Sequence, residues 1–368
     1  MTIPTQYYVD PGATVDTGSG TVGSPWGPRS AGSKPAVQHA LDTITQDTTN
    51  GDQINVKTGT ADTLAAAITL STYGTPNQAY PLIIRGYATA ANDGGQGDID
   101  GAGTYTIHAG NTSVHWIDMH LHNVGANRVL TLLNYSMALR CEISAGTGTA
   151  NYGIYTGSYA QIHGCHIHDI QGYGVYCGAG GVICRDCYFK NDGTYDFTGA
   201  IRLFRMGHAI NNIISIDGAS KGIVGNNCYG SIIANNSILS AGGTGKGIEI
   251  PNASRIMAIV ENNLVEGFST GGGVGIEMTT GTINGGSMRG NAVYNCVTPY
   301  VGVTEDDYIM GIEADGAEAD NETLGASPFA KSGAIPTDFT DADFWTDLFA
   351  YFAPVDTGNV HGGAYRGE

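Results

Sequence analysis

The stretch QIHGCHIHDI (161–170) sets His163, His166, His168 and Asp169 within seven positions of one another. Imidazole and carboxylate at such spacing can ligate a transition metal or pass a proton as acid and base. MHLHN (119–123) holds a second pair, His120 and His122, and CRDC (184–187) has the thiol spacing of half a zinc site. One CxxC alone is a weak signal, and two structural thiols are the expected reading. Whether any of these side chains meet depends on the elements that carry them.

Those elements repeat. MHLHN starts at Met119, CEISA at Cys141, CHIHD at Cys165, CYFKN at Cys187, NIISI at Asn212, NSILS at Asn236, NLVEG at Asn263 and NAVYN at Asn291. The steps are 22, 24, 22, 25, 24, 27 and 28 residues, and each unit has Leu, Ile, Phe or Val two positions after its first residue. Alternation of period two is the mark of a strand with one buried face. A second register runs through GIYTG (153), GVYCG (174), AIRLF (200), GIVGN (222), GIEIP (247) and GIEMT (275). Strands and turns recurring at this period predict a solenoid, one coil per repeat, with coils stacked at about 4.8 Å. The column Asn212, Asn236, Asn263, Asn291 then has a cause, because a buried amide can hydrogen-bond to its copies one coil above and below. Cys141, Cys165 and Cys187 fill the same column as small buried thiols.

The register assigns faces to the chemistry. Residues after the column point outward as His120, Glu142, His166, Tyr188, Ile213 and, two further on, His122, Ser144, His168, Lys190, Ser215. His120, Glu142 and His166 therefore form the candidate metal or acid–base patch, while His163 belongs to the preceding strand. The bland expectation is repeat texture, solvated or covered by a loop, with no cofactor and no resident metal. In the second register Tyr155, Tyr176 and Arg202 face outward, a set suited to a sugar ring and its hydroxyls or carboxylate. Glu249 and Glu277 fall on successive coils there, without an evident acid or base partner.

Composition agrees with strands and turns: 56 of 368 residues are Gly and 14% are charged. The net charge of −18 argues against nucleic acid, whose phosphates need a basic surface. No apolar run approaches the roughly 18 to 20 residues of a membrane span. The seven cysteines have no disulfide-framework spacing, which predicts free thiols in a reducing compartment. MTIPTQYYVD has neither a basic n-region nor an apolar h-region, so synthesis without a signal peptide is expected.

The repeats resemble those of the right-handed parallel β-helix (pectate-lyase-like) superfamily. YYVDPG (7–12), AVQHALDTI (36–44) and GDQINVKTG (51–59) resemble its opening strand, capping helix and first coil; ASPFAKSGA (326–334) and VDTGNVHGGAYRG (355–367) resemble its closing segment. The resemblance implies an all-β, right-handed parallel β-helix over 51–305, an N-terminal strand and capping helix over 1–50, and an irregular cap over 306–368 that closes the far end. It spans lyases, hydrolases, epimerases, phage tailspikes and capsid decorations, so function rests on the site. HWIDMH (115–120) resembles one pectate-lyase strand motif, but the acidic calcium cluster is not recognisable. The polygalacturonase pattern is missing too: the Asp306–Asp307 pair follows the last clear coil and MGHA (206–209) lacks the second glycine. The sequence therefore points first to a non-enzymatic virion surface protein, such as a bacteriophage capsid decoration or spike component. Such a protein would be made in the host cytoplasm and be homotrimeric, partnered by capsid protein and able to bind cell-surface polysaccharide. The alternative is a polysaccharide lyase, hydrolase or epimerase.

Overall fold

Each coil turns the corner before the second sheet at a residue held in the left-handed conformation. In the computed structural model these are Asp118, Arg140 and Gly164, then Asp186, Asn211, Asn235, Asn262 and Gly290, with φ between 51° and 61°. Asp, Asn and Gly reach this region at least cost. Arg140 is the exception, and its guanidinium donates to Asp118 at 2.7 and 2.9 Å. In every coil the next residue is the one in the Cys/Asn column, so corner and column are one structural device.

The structure describes residues 3–14, 18–30, 34–108, 112–125, 128–145, 152–191, 197–251, 258–278, 287–302, 322–327, 329–331, 335–336, 341 and 343–353. The chain is an all-β parallel β-helix forming two compact units, Met1–Gln171 and Gly172–Glu368. Each coil contributes short parallel strands to three sheets. In the first unit Ile54, Ile84, Trp116, Ala138 and Ile162 align inward on the first sheet, and Ile99, Leu121, Ile143 and Ile167 on the second. In the second unit Phe189, Ile214, Ile238, Val265 and Val293 face Val175, Ile201, Ile223, Ile248 and Ile276 of the third sheet. All of these side chains are buried, each Ile, Leu or Val contributing about 1.5–3 kcal/mol. The coil is thin here: a Cβ at Gly247 would lie 2.3 Å from Val265, and one at Gly275 2.5 Å from Val293. That is why glycine precedes the inward Ile at 248 and 276.

The column in the second unit is a continuous amide ladder. Asn212 Nδ2 donates to Asn236 Oδ1 at 3.0 Å, Asn236 Nδ2 to Asn263 Oδ1 at 2.9 Å, and Asn263 Nδ2 to Asn291 Oδ1 at 2.8 Å. Each amide also donates to a carbonyl of an earlier strand, for instance Asn236 to Ala209 at 3.0 Å. In the first unit Cys141 and Cys165 occupy the column, their thiols 3.4–3.6 Å from neighbouring carbonyls as weak S–H donors. Cys184 and Cys187 are likewise buried free thiols, Cys187 donating its backbone N–H to Asn212 Oδ1.

The helix Ala36–Thr43 packs its Val37, Ala40 and Leu41 on the opening strands Thr5–Val9 and Asp52–Lys57. Asp62 caps it from the neighbouring coil, accepting from Ala36 N and Val37 N at 2.7 and 2.8 Å. No helix among the described residues is long and apolar enough to cross a membrane.

In the second unit the 306–368 segment adds the strand Glu322–Thr323 beyond Ala292–Tyr294 at the end of the second sheet, and a later part of it lies along the flank. The helix Phe344–Tyr351 sets Phe344 and Leu348, with Phe329 and Phe352, against Tyr188, Ile213, Leu239, Leu264 and Ala292 of the second sheet. The outward column is covered there, so Tyr188 and Ile213 are 0 and 1% exposed. Apolar residues at outward positions required that cover. Glu266 clips the strap in place, accepting from Ser327 Oγ at 2.6 Å and from Lys331 Nζ. VDTGNVHGGAYRG and the Asp306–Asp307 pair lie outside the described residues.

Candidate functional site

The third sheet sets an arginine over a tyrosine pair in both units, from the preceding strand in the first and the following strand in the second. In the first, the strand Tyr152–Thr156 carries YGIY, and Arg128 from the adjacent strand Arg128–Leu132 places its guanidinium 3.8 Å from the Tyr155 ring centre and 5.9 Å from Tyr152. In the second, Tyr173–Cys177 carries YGVY, and Arg202 lies 4.2 Å from Tyr176 and 5.9 Å from Tyr173. Both tyrosines of each pair are half-buried. Arg85, Arg140, Arg185 and Arg289 are paired with carboxylates. Arg128 and Arg202, among the described residues, have no carboxylate within ion-pair distance and only tyrosine faces beneath them. A guanidinium stacked this way keeps its in-plane N–H donors for an incoming carboxylate.

Sequence reading named Tyr155, Tyr176 and Arg202 but missed Arg128. The signal was present, since Arg128 pairs in register with Tyr152, 24 residues on. A cleft of about 820 Å³ opens beside it, lined by Tyr105, His108, Arg128, Thr131 and Tyr152 among others. His108 Nδ1 is buried there without a hydrogen-bond partner among the described residues. Burial pushes its pKa down, and the Arg128 charge adds to the fall, so the ring is neutral at pH 7.

Glu249 and Glu277 do pair in register, but as part of a closed ion network. Lys221 reaches Glu249 at 2.6 Å, and Lys246 bridges Glu249 and Glu277, 2.7 Å from the latter. With two lysines for two carboxylates, this group offers no spare acid or base.

The outer face of the second sheet in the first unit is a checkerboard of carboxylate and imidazole. Asp98, His120, Glu142 and His166 align on four successive strands, and Asp100, His122, Ser144 and His168 align beside them. His120, Glu142 and His166 lie side by side, and rotamers sort the face into two hydrogen-bonded or closely spaced groups. In one, Asp98 Oδ1 lies 3.1 Å from His122 Nε2 and 3.4 Å from His120 Nδ1, with the two rings stacked at 4.7 Å. In the other, Glu142 Oε1 lies 3.0 Å from His168 Nε2, and the His166 and His168 rings stack at 4.4 Å. Asp169 accepts from His168 Nδ1 at 2.8 Å. Burial pulls His168 down, but its hydrogen bonds to Asp169 and Glu142 outweigh that and hold its pKa at about 9. Asp98 sits low for the converse reason: burial would raise it, and the two imidazoles beside it prevail. Either group has the two nitrogens and one oxygen that could hold a metal ion. Asp98 was invisible earlier because the register began at Met119; one step of 22 back lands on Gly97, opening GDID.

This is a parallel β-helix protein whose lateral faces carry arginine–tyrosine and histidine–carboxylate arrays. No protein-family model and no curated protein matches the sequence. Among solved structures it is similar to the pectate lyase Pel9A, with TM-score 0.50, 12% identity, and coverage of 100% of this chain and 98% of that one. It is also similar to a PL6 alginate lyase in complex with a trisaccharide (TM-score 0.47, 14% identity, 82% of this chain and 62% of that one). ORF18 of Geobacillus virus E2 has TM-score 0.30 at 12% identity, over 78% of this chain and 56% of that one. At these identities the likeness is one of fold.

Proposed function

We propose that this chain recognises an acidic polysaccharide through the third-sheet arginines and tyrosines, as a non-enzymatic component of a virion surface. The observation that carries the recognition is the pair Arg128 and Arg202, each stacked on a tyrosine and without a carboxylate partner among the described residues. In a chain of net charge −18, such guanidiniums are able to draw in uronate carboxylates, while the tyrosine rings offer apolar faces to the sugars. Six of the seven cysteines are buried free thiols, which suits folding in a reducing cytoplasm before release by lysis. The same reading expects a homotrimer, which sedimentation of the intact chain tests directly.

A second reading, a polysaccharide lyase, is favoured by one feature. His108 is a neutral imidazole in the Arg128 cleft, and a base beside a guanidinium is what removal of a proton α to a carboxylate requires. The arginine would hold the carboxylate and its developing charge, the imidazole would take the proton, and the β C–O bond would break to leave an unsaturated sugar. Calorimetry with polygalacturonate, alginate and hyaluronate, run beside absorbance at 235 nm, separates the readings. Saturable binding lost in R128A/R202A, without new absorbance, supports recognition. Absorbance that grows with time and vanishes in H108A establishes the lyase. Absence of binding to every polymer refutes both.

A further inference from the structure

We infer that the second sheet of the first unit binds two transition-metal ions of the zinc class, one at Asp98–His120–His122 and one at Glu142–His166–His168. Neither site depends on the glycan reading, since these side chains lie on a different sheet from Arg128.

The spacing comes first. Donors held at about 2.0–2.1 Å around one ion, at 90–110° to each other, are about 2.9–3.4 Å apart. Asp98 Oδ1 stands 3.1 and 3.4 Å from the two imidazole nitrogens of its group, and Glu142 Oε1 stands 3.0 Å from His168 Nε2. In each group all three donor atoms lie within 4.8 Å of one another, which small rotations close onto an ion. Two histidines and a carboxylate leave positions for water and suit zinc, copper, nickel or iron rather than calcium, which takes oxygen ligands.

Three further features separate this face from chance surface texture. Asp98 Oδ1 is buried and accepts no well-directed hydrogen bond among the described residues, although two ring nitrogens flank it. A cation between them would satisfy that oxygen. Each group also has a carboxylate behind one ring: Asp169 bonds His168 Nδ1 at 2.8 Å, and Asp100 stands 3.7 Å from His122 Nδ1. A carboxylate on the far nitrogen fixes the tautomer and strengthens the imidazole as a ligand. Lastly, the arrangement occurs twice. A carboxylate on one strand, Asp98 or Glu142, faces a His-x-His on the next, His120/His122 or His166/His168. A solvated face has no reason to repeat this design two coils later.

The experiment uses the full chain, stripped with a chelator and dialysed against Zn²⁺, with metal content read by mass spectrometry. Copper in place of zinc gives an electron paramagnetic resonance spectrum in which imidazole nitrogens split the signal. Two equivalents per chain are expected, falling to one in H122A, to one in H168A, and to none in the double variant. D169N keeps a residue that tolerates the left-handed φ of 55° and should weaken zinc at the second site about 10–100-fold. Circular dichroism of the stripped variants separates lost ligation from lost fold. No uptake by the parent chain at micromolar zinc overturns the inference, as does uptake that the double variant retains. One equivalent abolished by H168A alone would overturn the first site.

Discussion

Replacing Asn236 by alanine tests whether the amide ladder, rather than side-chain volume alone, ties the coils of the second unit together. Asn236 Nδ2 donates to Ala209 O and Asn263 Oδ1, at 3.0 and 2.9 Å, and its Oδ1 accepts from Asn212 N and Asn212 Nδ2, both at 3.0 Å. The residue is fully buried, so truncation leaves these groups without water to replace it. At about 1 kcal/mol net per hydrogen bond the loss is about 4 kcal/mol, or close to a thousandfold in the unfolding equilibrium. The backbone bond from Asn236 N to Asn263 Oδ1 survives, because Asn263 supplies the acceptor. C165A, in the same column, removes only weak S–H bonds and a small volume, and should cost about 1–2 kcal/mol. Urea unfolding followed by circular dichroism, with free energies from midpoint and slope, gives both numbers. A loss below about 1 kcal/mol for N236A, or one equal to that of C165A, would refute the ladder as a stabilising device.

Three further outcomes follow from the same geometry. F344A removes the aromatic that packs on Tyr188 and should cost about 3–5 kcal/mol, with tyrosine fluorescence and hydrogen exchange along Ile213–Ile216 and Leu264–Glu266 reporting the uncovered flank; unchanged exchange there would contradict the strap. R128A and R202A should each weaken binding of a uronate polymer about 10–100-fold, the loss of one charge-assisted contact, with the effect shrinking at high salt; salt-insensitive binding would exclude carboxylate capture. His115 is held below its ordinary pKa by burial, opposed in part by a hydrogen bond with the Tyr135 backbone. Its folded value lies below the unfolded one of about 6.5, so its contribution is present above that pH and lost as pH falls through the folded value. His168 runs the other way, so the difference in urea midpoint between H115Q and the parent isolates the effect; that difference should move in favour of H115Q from pH 7.5 to 5, and a constant difference would refute it.

Periodicity by itself determined the coil. A residue of period-two alternation exposes its face in the sequence, so the inward Ile and Val ladders, the column of Asn212, Asn236, Asn263 and Asn291, and the alignment of His120 with Glu142 and His166 were readable before any coordinates. Register fixes which residues are neighbours along a sheet, and strand spacing does the rest. Three things were decided only in three dimensions. Which outward residues meet solvent depended on the helix Phe344–Tyr351, a segment far along the chain whose apolar side lies on Tyr188 and Ile213. Which imidazole pairs with which carboxylate depended on rotamers, so Glu142 turns to His168 while His120 shares Asp98 with His122. Whether a charge is already neutralised depended on partners a coil away: Glu249 and Glu277 are bound by lysines, whereas Arg128 rests on Tyr155 and has no carboxylate partner among the described residues. Backbone period is a property of local sequence, but cover, pairing and neutralisation belong to side chains brought together by stacking coils.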